Sequence, residues 1–283
     1  MFVRRPAVAG AFYPADTDEL KETIQHSYVH PLGPGALPPR MGEEETSGVF
    51  ACVCPHAGYA YSGPVAAHSF LWLSALREPD LVVIVGPNHY GVGSGVATFK
   101  EGVWETPLGR VTVDSEAAAE IVRLTGLVDF DPEAHRREHS LEVQLPFLQE
   151  IYGSNFKLLP ISLIFQDIET ARDIGRGLSQ MLNGRNAILI ASSDLTHYEP
   201  ADVAREKDMA LLRKVLDLDL SGFYAVLESK NVTACGYGAI ATVMEAGRSL
   251  GFKRGELHKY ANSGDTTGEN DAVVGYPSVT FVR

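Results

Sequence analysis

Three aliphatic runs in this chain each break off into a turn that carries a histidine. FACVC (Phe50–Cys54) leads into PHAGY, LVVIV (Leu81–Val85) into GPNHYG, and AILIA (Ala187–Ala191) into SSDLTHY. Runs that are apolar throughout, without alternation, mark strands covered on both faces, the habit of parallel sheets. Lys157–Ile164 is a further run of this kind, and AVVGYPSVTFV near the end supplies one or two strands more. Helical patterns lie between them, over Thr17–His26, Pro64–Ala75, Ser115–Thr125, Pro132–Tyr152, Ile168–Leu182, Val203–Leu216 and Ala239–Leu250. Strands alternating with helices predict an α/β fold: a mostly parallel mixed sheet with helices on both faces. Gly95–Phe99 and Gly109–Asp114 read as a hairpin or an edge pair. Only His30–Gly48, rich in Pro, Gly and acid, resembles a linker, and it reads as an exposed loop. One domain over residues 1–283 is therefore expected.

In an open parallel sheet, ligands bind beyond the carboxyl ends of the strands. If the three runs are parallel, His56, His89, Asp194 and His197 share that rim. Cys235 sits in NVTACGYG, just before a helical pattern. A thiol at a helix N-terminus tends toward thiolate, the form that binds metal. The other reading of Cys235 is a small residue packed at a tight turn. Two imidazoles and one anionic ligand, with open coordination positions, describe a catalytic metal site. The third ligand would be Asp194 or Cys235. Carboxylate would suit non-haem iron, and thiolate shifts the preference toward zinc or copper while still admitting iron(II).

Charge and cysteine count narrow the rest. A net charge of −12 argues against a nucleic-acid partner. No apolar run reaches the ~20 residues that span a bilayer. No apolar stretch follows the two arginines of MFVRRPAVAG, so a cytoplasmic location is expected. Three cysteines, an odd count, do not form a disulfide framework. Cys52 and Cys54 share one face of a strand with His56 just past its end.

The motifs RRPAVAGAFYPAD, PHAGYAYSG, GPNHYG, WETPLG, EHSLEVQLPFL, SSDLTHY, ACGYG and YANSGD, in that order, resemble the Memo family. The resemblance runs from Arg4 to the C-terminus. It implies a fold similar to class III extradiol dioxygenases, which open catechol rings at iron(II). It also implies metal ligands at His56, His89 and Cys235, with Asp194 and His197 beside them. His197 would be the acid/base, and Asp194 would orient an imidazole. Cysteine stands where those dioxygenases have glutamate, so ring opening does not transfer with the fold. Iron(II) is the expected metal, with copper or zinc as alternatives. The expected activity is redox or oxygen-dependent chemistry on a small substrate. The rival reading is a non-catalytic pocket for a peptide or partner, or a metal-handling protein. Prokaryotic members belong to a system with radical SAM and AMMECR-type proteins, which makes those proteins expected partners. Under the resemblance Cys52 and Cys54 are strand residues outside the ligand set.

Two further segments look sharper than they are. HRREH (His135–His139) matches an inverted zinc-peptidase pattern. Pro146 lies downstream, and the resemblance uses only the EHS portion, so Glu138 and His139 are expected to approach the pocket from the side. GVGSG (Gly91–Gly95) lacks the helix a phosphate loop needs. Tyr59, Tyr90, Glu138, His139, Ser263 and Asp265 are the expected substrate-contacting residues.

Overall fold

The computed structural model describes residues 2–39 and 48–283; positions 40–47 of the loop expected over His30–Gly48 lie outside the described residues. In chain order the strands are β1 (Val3–Arg4), β2 (Val49–Cys54), β3 (Leu81–Pro87), β4 (Val96–Thr98), β5 (Val103–Thr106) and β6 (Gly109–Val113). They continue with β7 (Asp129–Phe130), β8 (Lys157–Leu163), β9 (Ala187–Ser192), β10 (His197–Glu199), β11 (Arg254–Asn262) and β12 (Val273–Val282). The helices are α1 (Thr17–Val29), α2 (Tyr59–Ser74), α3 (Ser115–Thr125), α4 (Leu145–Tyr152), α5 (Ile168–Leu182), α6 (Ala201–Leu216), α7 (Leu220–Ser229), α8 (Tyr237–Ser249) and α9 (Ser263–Thr267).

The sheet runs β1-β5-β6-β8-β3-β9-β2-β12-β10. Its centre, β6-β8-β3-β9-β2, is parallel throughout. β12 closes it antiparallel to β2 and carries β11 and β10. The three strands with histidine-bearing ends are immediate neighbours, β3-β9-β2, and their ends are level: Cys54 pairs with Ser192, and Val85 with Ala191. All three turns therefore open on one rim.

The apolar runs serve two cores, as strand alternation requires. Ala51, Val53, Val83, Val85, Leu189 and Ala191 pack with α5 and α8 residues such as Ile174, Leu178, Ile240 and Val243. Cys52, Cys54, Val82, Ile84, Ile188 and Ile190 pack with Leu20 and Ile24 of α1, Phe70 of α2 and Phe147 of α4. Cys52 and Cys54 are thus core residues, their sulfurs 3.7 Å apart. Among the described residues no helix is long and apolar enough to cross a membrane.

Two expectations need correction. Pro132–Tyr152 is not one helix: Glu133–His135 and Glu142–Gln144 are short 3-10 turns, and α4 starts only at Leu145. A continuous helix would bond the His139 N–H to the His135 carbonyl and the Glu142 N–H to the Glu138 carbonyl. Here Arg4 donates to both carbonyls, from Nε to His135 at 3.1 Å and from Nη2 to Glu138 at 2.5 Å. The His139 N–H turns instead to the Glu138 carboxylate. The second correction concerns the proposed edge pair. Gly109–Val113 pairs with Val103–Thr106 across a two-residue Pro107–Leu108 turn, while Val96–Thr98 pairs with β8 and β7. Strand β11 and helix α7 carried no clear signal in the sequence.

Arg4 also pairs with the Glu142 carboxylate, and both side chains are almost fully buried. Glu142 accepts in addition from the N–H groups of Ala7 (2.8 Å) and Val8 (3.1 Å) and from the Tyr13 hydroxyl (2.6 Å). Breaking a buried pair strands the surviving charge. Glu142→Ala is expected to lower the unfolding free energy by about 3–5 kcal/mol, read from urea melts. Replacing Arg4 and Glu142 together by Met and Leu should cost at least as much, because it also strips the His135 and Glu138 carbonyls of their donor.

Candidate metal centre

His56 lies in the turn between β2 and α2, buried, its backbone N–H donating to Asp194 Oδ1 at 2.8 Å. Its Nδ1 is 2.9 Å from Ser192 Oγ. Ser192 donates its own hydroxyl proton to the Ser140 carbonyl (2.6 Å) and accepts from Gln144 Nε2 (2.8 Å). With that proton committed, Ser192 can only accept from the ring, so Nδ1 carries the imidazole proton and Nε2 the lone pair.

His89 is fixed by a different group to the same end. Its Nδ1 donates to Glu138 Oε1 at 2.9 Å, which leaves Nε2 with the lone pair. Glu138 is fully buried, and its carboxylate accepts three backbone N–H groups as well, from His89 (2.6 Å), His139 (2.9 Å) and Ser140 (2.8 Å). Burial alone would raise its pKa, but the hydrogen bond and charge of His89, helped by His139 and the Ser140 N–H, hold it at about 2. Carboxylates in this position orient metal-ligating imidazoles and raise their basicity.

His139 stacks on His89 (centroids 4.5 Å apart, planes at 22°), and it also meets the Phe12 ring at 4.5 Å. Both it and His89 meet His56 nearly edge-on. Burial pulls the pKa of His139 down to about 4 against the opposing charge of Glu138, and it pulls that of His56 well below the usual value. Neutral imidazole is the ligating form. The three residues offer ring nitrogens that all lie within 4.8 Å of one another, a group able to hold a metal ion. Cys235 Sγ lies 3.1 Å from His56 Nε2 but is outside that group, in which His139 stands where the cysteine was expected.

Cys235 is tied to the β9 turn: its N–H donates to the Asp194 carbonyl, and its sulfur accepts from the Asp194 N–H, both at 3.3 Å. The glycines of ACGYG make this fit possible. A Cβ on Gly236 would sit 2.4 Å from the Ser192 carbonyl, and one on Gly238 would sit 2.7 Å from Gln166 Cβ. The helix N-terminus does not depress the thiol pKa as expected. Burial, and then the charge of Asp194, push it up. Asp194 is itself raised to about 6 by burial. A cation entering here must therefore displace the thiol proton.

The remaining expected residues are distributed as follows. Asp194 holds backbone, and the groups that orient the imidazoles are Ser192 and Glu138. His197 donates from Nδ1 to the Leu195 (2.6 Å) and Thr233 (3.0 Å) carbonyls, leaving Nε2 as an acceptor. Thr196, beside it, is held by buried Asp208, which accepts from the Thr196 N–H and hydroxyl. Tyr59 is buried, and its hydroxyl donates to the Val143 carbonyl at 2.6 Å, so it is an anchor within the core. Tyr90 is exposed beneath the Arg137 guanidinium. Ser263 and Asp265 secure the α9 turn, accepting from the N–H groups of Val274 and Asn262. Ser192 and Gln144 carried no separate signal, since each sits inside a motif as an ordinary polar residue.

Comparison with known proteins agrees with this architecture. Residues 4–280 match the Memo family, described as "Memo-like protein". MEMO1 family proteins are similar along their whole length: 47% identity over 280 residues in Nitrosopumilus maritimus, covering 99% of this chain and 100% of that one, and 48% over 281 residues in Aeropyrum pernix, covering 99% of each. The chain belongs to the Memo family. A solved structure, described as uncharacterized protein JW3007 from Escherichia coli K12, shares the fold with a TM-score of 0.58 at 16% identity, over 82% of this chain and 98% of that one.

Two outcomes follow from the geometry. Glu138→Gln removes the charge behind His89 and is expected to weaken metal binding about 10–100-fold, measured by titration with a chromophoric competitor. Acid should destabilise the metal-free fold in a defined window. Folded-state pKa values of about 4 (His139), about 3 (His135) and about 2 (Glu138) lie below their ordinary values, so the unfolded chain binds more protons on acidification. Stability is fully present above the ordinary histidine pKa of about 6.5 and is lost progressively as pH falls from there toward about 2. Urea midpoints measured between pH 7 and pH 4 check the sign.

Proposed function

We propose that this chain is a metal-dependent enzyme that carries out redox or oxygen-dependent chemistry on a small substrate. The observation that carries the reading is the aim of the lone pairs. His56 and His89 each have Nδ1 committed to an acceptor, which leaves both Nε2 lone pairs uncommitted; ring nitrogens of these two and of His139 lie within 4.8 Å of one another, and the Cys235 thiol is 3.1 Å from His56 Nε2. Such a donor set is what a borderline divalent ion seeks. In this reading His56, His89 and Cys235 hold the metal, with iron(II) ahead of copper or zinc. His139 is a fourth donor at the same face. The bound ion would supply a Lewis-acidic, redox-active centre with open coordination positions.

The rest is the work of the chain itself. Ser192 and Glu138 keep both imidazoles in the ligating tautomer without rotation of the rings. Asp194 ties the backbone of His56 to that of Cys235, so the two ligand-bearing turns move as one. In this reading His197 takes a proton at Nε2, the nitrogen left over when Nδ1 donates to the Leu195 and Thr233 carbonyls. The family resemblance, which implies a fold similar to class III extradiol dioxygenases, supports this class of chemistry, while the cysteine marks a difference in what the metal can do.

The test is metal analysis of protein purified without oxygen, with His56→Ala, His89→Ala and Cys235→Ser beside the parent. Near-stoichiometric metal in the parent, lost in each variant, together with metal-dependent oxygen consumption on screening small reductants and diols, is the expected result. A parent that holds no metal, or variants that keep it, would overturn the reading in favour of a non-catalytic binding pocket.

A further inference from the structure

Next to His89, on the side of Glu138, lies a groove of about 610 Å³, lined among others by Tyr90, Glu133, Arg136, Arg137 and Glu138. The Arg137 guanidinium lies over the Tyr90 ring, 4.6 Å from its centroid. Tyr90 directly follows His89, and Arg137 directly precedes Glu138, so this stacked pair is built on the two segments that join in the His89–Glu138 hydrogen bond. Stacking fixes the plane of a guanidinium and leaves its N–H edge free to meet a planar anion.

The charges around it decide what that anion is. Arg136 is paired with Glu133 at 3.4 Å. Glu138, also on the groove, is saturated by the His89 ring and three N–H donors. No carboxylate comes within ion-pairing distance of Arg137 among the described residues. The four charges on the groove balance, Glu133 and Glu138 against Arg136 and Arg137, and Arg137 is the guanidinium among them left without an ion-pair partner. Ala7, Val92 and Ala134 give the groove apolar walls.

We propose that this groove takes the carboxylate of a small substrate with an apolar or aromatic body, with Arg137 as its binding partner. The proposal rests on the reading of the adjacent centre as an active site. One free guanidinium matches one carboxylate as a forked, bidentate pair, whereas a phosphate dianion would call for a second cation.

The probe is benzoate, titrated into the full chain by calorimetry, with benzamide as the neutral isostere and phenyl phosphate as the dianion. Saturable benzoate binding, at least about tenfold tighter than benzamide, is expected for the parent. Arg137→Gln should abolish that preference and Arg137→Lys should keep part of it. Absence of saturable benzoate binding, equal binding by Arg137→Gln, or tighter binding of phenyl phosphate overturns the proposal. Metal content of the same preparations separates the two readings. A metal-free parent that binds benzoate through Arg137 removes the metal centre and keeps the groove. A metal-loaded parent indifferent to the carboxylate does the reverse.

Discussion

A guanidinium without solvent must find acceptors, and Arg4 dictates much of this molecule by doing so. It is 3% exposed, stacked over the Trp104 ring, and reaches the carbonyls of His135 and Glu138 and the carboxylate of Glu142. An unpaired charge in that position would cost several kcal/mol. The acceptors all come from one stretch more than 130 residues away along the chain. Drawing them in keeps that stretch from coiling into a helix and leaves the Glu138 side chain free to fold back under His89. The amino-terminal segment therefore shapes the centre while contributing no donor atom to it.

The second organising fact is how protons are parked. Each imidazole proton sits on the outer nitrogen, bonded to Ser192 in one case and Glu138 in the other. These two acceptors differ in charge. Ser192 is a neutral relay to Ser140 and Gln144, whereas Glu138 brings a full negative charge into a buried place. The two rings are thus unequal electron donors, His89 the richer of the pair. Two strand ends with similar sequence patterns become chemically distinct through what stands behind them.

Much of this was legible in the amino-acid order. Unbroken aliphatic runs fixed the parallel centre of the sheet, because only strands covered on both faces tolerate them. Turns carrying His56, His89 and Asp194 could be assigned to one rim once their strands were taken as parallel. Other features could not be read locally. Pro132–Tyr152 has helical periodicity, and its failure to form one helix depends on Arg4, a partner no window on the sequence contains. The pKa of Cys235 follows burial against Asp194, not the nearby helix end on which the sequence argument relied. His139 reads as a flanking residue beside Glu138, and only the folded chain shows its ring against His89. Ser192 ends an apolar run, so its contact with His56 depends on strand order and on Gln144 arriving from another segment.

The sheet also sorts the three sulfurs. Cys52 and Cys54 point into the core beneath α1 and α2, while Cys235 alone stands at the rim, in contact with His56 and Asp194. An oxidant diffusing in from solvent meets a single thiol, its two fellows being fully buried in the core. A sulfenic acid formed there has no resolving cysteine among its contacts, so repair falls to a small diffusible thiol, and further oxidation would end the residue's service as a ligand.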